Sequence, residues 1–149
     1  MGKRKTIKEK MDTGKEPEVK RDPKGRGMML IATPRIVESY IKKIKKGKLA
    51  TVEQLRRKMA EDYGADFSCP LATGWFIRIV AEYAEWERGE GKKNIAPYWR
   101  LIKEKGKLND KYPGGAERHA QLLKDEGFEI VSVRGKPVVK DYEKHLINW

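Results

Sequence analysis

Pro97-Tyr98-Trp99-Arg100 lies within the run Ile95-Ala96-Pro97-Tyr98-Trp99-Arg100-Leu101-Ile102, followed by Pro113-Gly114-Gly115-Ala116 and by Gln121-Leu122-Leu123-Lys124-Asp125-Glu126-Gly127. These residue types allow two kinds of chemistry. A phenol attacks an electrophile only when a base takes its proton, and no base stands beside Tyr98, whose unperturbed pKa is near 10. Flat rings such as Tyr98 and Trp99 can instead stack on a nucleic-acid base, worth roughly 1–3 kcal/mol, or they can simply fill a core. The single thiol, Cys69, sits in Phe67-Ser68-Cys69-Pro70 with no histidine nearby in sequence, which favours a buried structural role. His119 and His145 have no metal-ligand spacing with it, so neither a metal site nor a cofactor is expected.

The partner is suggested by charge. The 149 residues carry 34 Lys+Arg against 22 Asp+Glu, a net charge of +12. Each phosphate that such a surface neutralises releases condensed counterions, so a polyanion is the favoured partner, with simple solubility as the alternative. One cysteine cannot form an intramolecular disulfide and fits a reducing cytoplasm. No apolar run approaches the roughly 18 residues that a membrane span needs.

These residues must be held by a small set of elements. Residues 1–27 hold ten Lys/Arg and five Asp/Glu with few apolar residues, and are expected to be a disordered basic arm. Order is expected from Met28-Met29-Leu30-Ile31 onward. Thr33-Pro34 starts a helix carrying Ile36, Val37, Tyr40, Ile41 and Ile44, with Gly47 as its cap. Thr51-Val52-Glu53-Gln54 reads as a capping box opening a second helix with Leu55, Met59 and Tyr63 on one face. A third helix over residues 72–88 presents Trp75, Phe76, Ile79, Val80, Tyr83 and Trp86 as a broad core stripe, with Arg78 pointing outward. A polar connector at 89–94 follows, then a short strand around 99–102, a turn at Lys105-Gly106-Lys107 and a fourth helix from Gly115 to Glu126 stopped by Gly127. Alternation over 128–133, the turn Arg134-Gly135-Lys136-Pro137 and Val138-Val139 read as a hairpin.

The fold class expected from this order is mainly α with small β, a winged helix-turn-helix. One helix would enter a groove while helix N-termini and basic turns hold phosphates. The division expected is an arm at 1–27, a DNA-binding domain at 28–133 and a C-terminal extension at 134–149.

Read together, the segments from Ile95 to Gly127 resemble the C-terminal DNA-binding domain of the alkylguanine-DNA alkyltransferases, with a weaker likeness over residues 28–128. Pro97 and Arg100 match that family's Pro and Arg. Gly114 and Gly115 match its Gly pair, and Leu122, Leu123, Glu126 and Gly127 its helix ending. The family's separate N-terminal domain has no counterpart here.

The resemblance implies that Tyr98 stands at the alkyl-accepting cysteine, Trp99 at the relay histidine and Glu126 at the relay glutamate. With sulfur and imidazole both replaced, the family's methylated-DNA-protein-cysteine methyltransferase activity is not expected. It also aligns Arg78 with the arginine that enters the minor groove in place of an extruded nucleotide, the alternative being a surface pair with Glu82 or Glu85. Thr51, Arg100 and Gly115 become DNA contacts, and Tyr98 and Trp99 the lesion pocket or its filling. Val52 replaces a tyrosine that helps rotate the nucleotide.

The alkyltransferase-like branch of the family lacks the cysteine, binds alkylguanine in DNA and marks it for excision repair. This chain is similar to that branch in its aromatic substitution. The function so implied is non-enzymatic recognition of damaged double-stranded DNA by a cytoplasmic monomer, with excision-repair proteins as further partners. Two alternatives stand: residual methyltransferase chemistry through Cys69 or Tyr98, and a protein-interaction module using Trp75, Trp86 or Trp149.

Overall fold

Two threonines set the register of the first long helices in the computed structural model, which describes residues 6–149. Thr33 precedes α2 (Pro34–Ile41), its hydroxyl accepting the Ile36 N–H at 3.3 Å, and Pro34 fills the first position, where an N–H has no partner to lose. Thr51 precedes α3 (Val52–Asp62) in a complete capping box. Its hydroxyl accepts from the Gln54 N–H at 3.1 Å, and Gln54 Oε1 accepts from the Thr51 N–H at 3.0 Å. The Gln54 amide also donates to the Ile147 carbonyl at 3.0 Å, so the box ties the C-terminal segment to α3. Thr51→Ala is expected to cost about 1 kcal/mol in a urea titration.

The N-terminal segment departs from expectation. The residues described from Thr6 to Gly27 include α1 (Ile7–Met11) and β1 (Glu18–Arg21) instead of a structureless arm, while Met1–Lys5 of that arm lie outside the described residues. Ile7 and Met11 are four apart and fall on one face of α1, which packs against α2 and against α4 (Pro70–Gly89). Met11 is fully buried, and Arg35 grips Asp12 through two N–H groups at 2.7 and 2.9 Å. Strand β1 pairs antiparallel with β2 (Met28–Ile31), which in turn runs parallel to β4 (Phe67–Ser68). Charge content concealed these elements because α1 buries only Met11 fully and β1 buries no side chain.

Two smaller sheets complete the described residues. β3 (Ala50–Thr51) pairs in parallel with β5 (Leu101–Ile102), and β6 (Ile130–Val133) pairs antiparallel with β7 (Lys136–Val139). The strand expected at 99–102 is half 3-10 turn, since Tyr98–Arg100 coils before β5 begins. The fourth expected helix is α5 (Gly115–Asp125). A boundary after Val133 would cut the β6–β7 hairpin, and the tail is no loose extension. Leu49 donates to the His145 carbonyl at 2.8 Å and accepts from the Ile147 N–H at 2.8 Å, and Trp149 meets the Tyr40 ring edge-on.

Helix α4 is the spine of the main core. Thr73, Ile77, Val80, Ala81, Ala84 and Glu87 face inward along one line, so that Trp75, expected in the core, is 59% exposed, with Leu71 at 63% and Trp86 at the surface. A smaller second core of Leu49, Ile102, Leu108, Leu123, Phe128 and Val139 lies between α5 and the hairpin.

Candidate nucleic-acid interface

Tyr98 closes the site that its neighbours suggest. The side chain is fully buried, its ring meeting Trp99 and Tyr112 edge-on, and its hydroxyl donates to Glu85 Oε2 at 2.6 Å. Burial first, and the Glu85 carboxylate second, push its pKa upward, so the phenol keeps its proton and is no nucleophile at neutral pH. Of the two residues expected as the lesion pocket or its filling, Tyr98 is packed into the core and Trp99 lies partly buried against it.

Trp99, Arg100 and Glu126 form one partly buried unit. The Trp99 indole N–H donates to Glu126 Oε2 at 3.0 Å, and Arg100 donates to the same carboxylate from Nε at 2.9 Å and from Nη2 at 2.8 Å. Arg100 Nη1 also reaches the Ile44 carbonyl at 2.7 Å. Burial raises the Glu126 pKa, but the hydrogen bonds from Arg100 and Trp99 outweigh it and hold the carboxyl below its ordinary range. The expected DNA contact at Arg100 is corrected accordingly: its donors are spent inside the protein.

His119 is the partner that spacing did not reveal. It is fully buried, its Nδ1 accepting the Asn109 N–H at 3.0 Å, which leaves Nε2 to donate to the Trp99 carbonyl at 2.8 Å. Burial lowers its pKa to about 4, so it is neutral at pH 7.

The remaining expected contacts separate. Thr51 is buried with its hydroxyl in the α3 cap, and the Gly115 N–H donates to the Tyr112 carbonyl at 2.8 Å, so neither offers a free group to a phosphate. Arg78 does project outward. It is 58% exposed and lies 3.6 Å from Glu82 one turn along α4, an exposed pair of the kind worth about 0–1 kcal/mol. Cys69 is half-buried at the N-cap of α4, where its N–H donates to the Leu30 carbonyl at 2.9 Å.

A cleft of about 360 Å³ opens between α3 and α4, lined by Val52, Glu53 and Arg56 of α3, Gly74 and Ile77 of α4, and Lys103, Glu104 and Asn109. Gly74 leaves its mouth open on the helix side. The neighbouring Glu104 carboxyl raises the pKa of Glu53 above its ordinary value. Such a pair repels phosphate and accepts from N–H groups. Sequence periodicity could not identify this cleft, because three separate segments build it. Among the described residues no His/Cys/Asp/Glu group has the arrangement of a metal site, and no helix is long and apolar enough to cross a membrane.

Comparison with solved structures adds the fold. The crystal structure of S. pombe Atl1 in complex with damaged DNA containing O6-carboxymethylguanine matches with a TM-score of 0.53 and 16% identity, over 77% of this chain and 94% of that one. The chain shares the Atl1 fold. A second crystal structure, of S. pombe ATL in complex with DNA, matches with a TM-score of 0.51, again at 16% identity and over 77% of this chain and 94% of that one. No protein-family model and no curated protein sequence matches the chain. At this identity Atl1 supports the backbone arrangement alone.

Proposed function

We propose that this protein is a DNA-binding protein of the alkyltransferase-like type, which recognises a damaged base without removing the alkyl group. α3 and α4 would act as a helix-turn-helix of the winged class, with β6–β7 in the place of the wing. The observation that carries the reading is the cleft between α3, α4 and Lys103, Glu104 and Asn109, together with the exposed Trp75 and Arg78, which line a separate depression on α4 with Lys10, Ile79 and Glu82, in a fold shared with Atl1 bound to damaged DNA. A cleft with Val52, Gly74 and Ile77 on its walls and both donors (Arg56, Lys103, Asn109) and acceptors (Glu53, Glu104) around it suits a base, whose ring edges carry donors and acceptors. Trp75 adds what the sequence assigned to the core: an exposed ring beside Arg78 on the surface of α4, able to wedge into a base step while Arg78 follows the backbone. Non-enzymatic action is supported by the buried, protonated Tyr98 and by Trp99, which holds Glu126 in place of any relay. The protein would act as a monomer, in the cytoplasm, ahead of excision-repair proteins.

Fluorescence anisotropy on duplexes with and without O6-alkylguanine tests this. The protein should prefer the modified duplex, and Trp75→Ala and Arg78→Ala should each weaken binding about tenfold, equivalent to about 1.4 kcal/mol, while Lys42→Ala changes it little. Equal small losses for all three variants would remove α4 from the interface. Protein mass should be unchanged after incubation with alkylguanine DNA, and an adduct on Cys69 or Tyr98 would establish transfer chemistry instead.

A further inference from the structure

Two short turns in this chain have the same form: a cation, a glycine, a lysine. Lys105-Gly106-Lys107 follows β5, and Arg134-Gly135-Lys136 joins β6 to β7. In both, the leading cation and the glycine adopt left-handed backbone, with φ 61° at Lys105 and 78° at Gly106, 53° at Arg134 and 77° at Gly135. Left-handed geometry is costly for a residue with a Cβ, and glycine or asparagine would ordinarily occupy the first position of such a turn. A long cation kept there, twice, is spent on something other than stability.

The fold brings the two turns together. Lys107 bridges Val138 on β7, and a Cβ at Gly106 would come within 2.7 Å of the Tyr142 ring and 3.1 Å of Val138, so the first turn is pressed onto the hairpin. Lys105, Lys107, Arg134 and Lys136 then line a single cleft of about 470 Å³ whose floor is Val133 and Val138, with no carboxylate in its lining. All four are exposed, and among the described residues none makes an ion pair, although eleven ion pairs are formed elsewhere. Asp141 and Glu143 line an adjoining depression that shares Lys105, Val133 and Val138 with this cleft, and there Lys144 lies 3.9 Å from Asp141.

We infer that the paired turns are a phosphate-binding cleft that holds consecutive backbone phosphates of a DNA duplex beyond the base cleft. Four unneutralised cations over an apolar floor suit a repeating anion and offer nothing to read a base edge. Lys103 and Glu104 line the base cleft and Lys105 lines this one, so one loop joins the two sites and a duplex leaving the first runs toward the second. Naming the duplex as the source of the phosphates rests on the DNA-binding reading above. The chemistry alone would also accept a free polyphosphate.

The test uses the full chain and the double variant Lys105→Gly/Arg134→Gly, which removes two charges and relieves the left-handed backbone at the same positions, so a loss of fold is not expected. Anisotropy with unmodified duplex between 50 and 200 mM salt should show the log–log salt slope falling by about 2 and affinity at 100 mM salt dropping about tenfold. The preference for alkylated over unmodified duplex should stay as in the parent protein, because the base cleft is untouched. Lys107→Gln/Lys136→Gln should reproduce the loss. An unchanged slope in both variants overturns the inference. A loss of slope in the variants, with a parent protein that shows no preference for alkylated duplex, would sink lesion recognition and leave this cleft standing. If calorimetry with inorganic tripolyphosphate shows binding that the variants abolish while their duplex affinity is unaltered, the cleft serves a free polyanion and the duplex assignment fails.

Discussion

Arg100→Ala is expected to destabilise the fold by about 3–5 kcal/mol, the cost of removing one member of a buried ion pair and leaving the other behind. The Arg100 and Glu126 side chains are 15% and 11% exposed. Glu126 also caps the C-terminal end of α5, where the helix dipole disfavours a negative charge. Without the guanidinium, the carboxylate keeps only the Trp99 N–H, and the Ile44 carbonyl loses its donor. The pair acts on pH dependence in a definite direction. Since the folded pKa of Glu126 is depressed, its stabilisation is present above the ordinary carboxylate range and is lost as pH falls through the depressed value. Arg100→Ala should therefore lose less on acidification than the parent protein. Replacing both partners by apolar residues, as in Arg100→Met with Glu126→Leu, should recover much of the loss, because no charge is then left unpaired. Urea midpoints of the single and double variants decide it: a single variant within 1 kcal/mol of the parent would mean that the pair is not holding β5 to α5.

That ion pair also shows what the sequence disclosed. Signals that act within one turn were readable: Thr33-Pro34, the Thr51–Gln54 box, Gly127 behind α5 and the Arg134-Gly135 turn all lie where spacing puts them. Each depends on neighbours three or four residues away. The role of Glu126 depends on Arg100, 26 residues distant, and the motif that singled out both could not say whether they face a ligand or each other. Tyr98 was ambiguous for the same reason, since only the opposite Glu85 decides that the ring turns inward. The apolar face of α4 covers more of its circumference than one core can use. Periodicity named Trp75 among the buried residues, and only the packing of α1 and α2 against the helix shows which line goes in. In α1 the opposite error arises, because a high charge count hides two well-spaced apolar residues.

His119 gives the second large effect, and its sign follows from burial. The unfolded chain takes up a proton near pH 6.5, whereas the folded protein resists until about pH 4. Between those values the unfolded state binds more protons, so stability is complete above about 6.5 and falls as pH drops, by up to about 1.4 kcal/mol per unit and about 3 kcal/mol across the window. Geometry explains the resistance: a second ring proton would have to sit on Nδ1, facing the Asn109 N–H that it now accepts from. His119→Gln should be less stable at pH 7 yet lose little between pH 7 and 5, the opposite profile to the parent protein. Comparable urea midpoints for the parent at pH 7 and pH 5 would contradict a neutral buried imidazole. Asn109 also lines the base cleft, so protonating His119 breaks a bond that fixes the cleft's loop to the Trp99 carbonyl. Preference for alkylated over unmodified duplex should therefore decline in the parent only as pH approaches 4, where the folded protein takes up that proton. In His119→Gln it should hold steady over the same range, since its amide has no proton to gain.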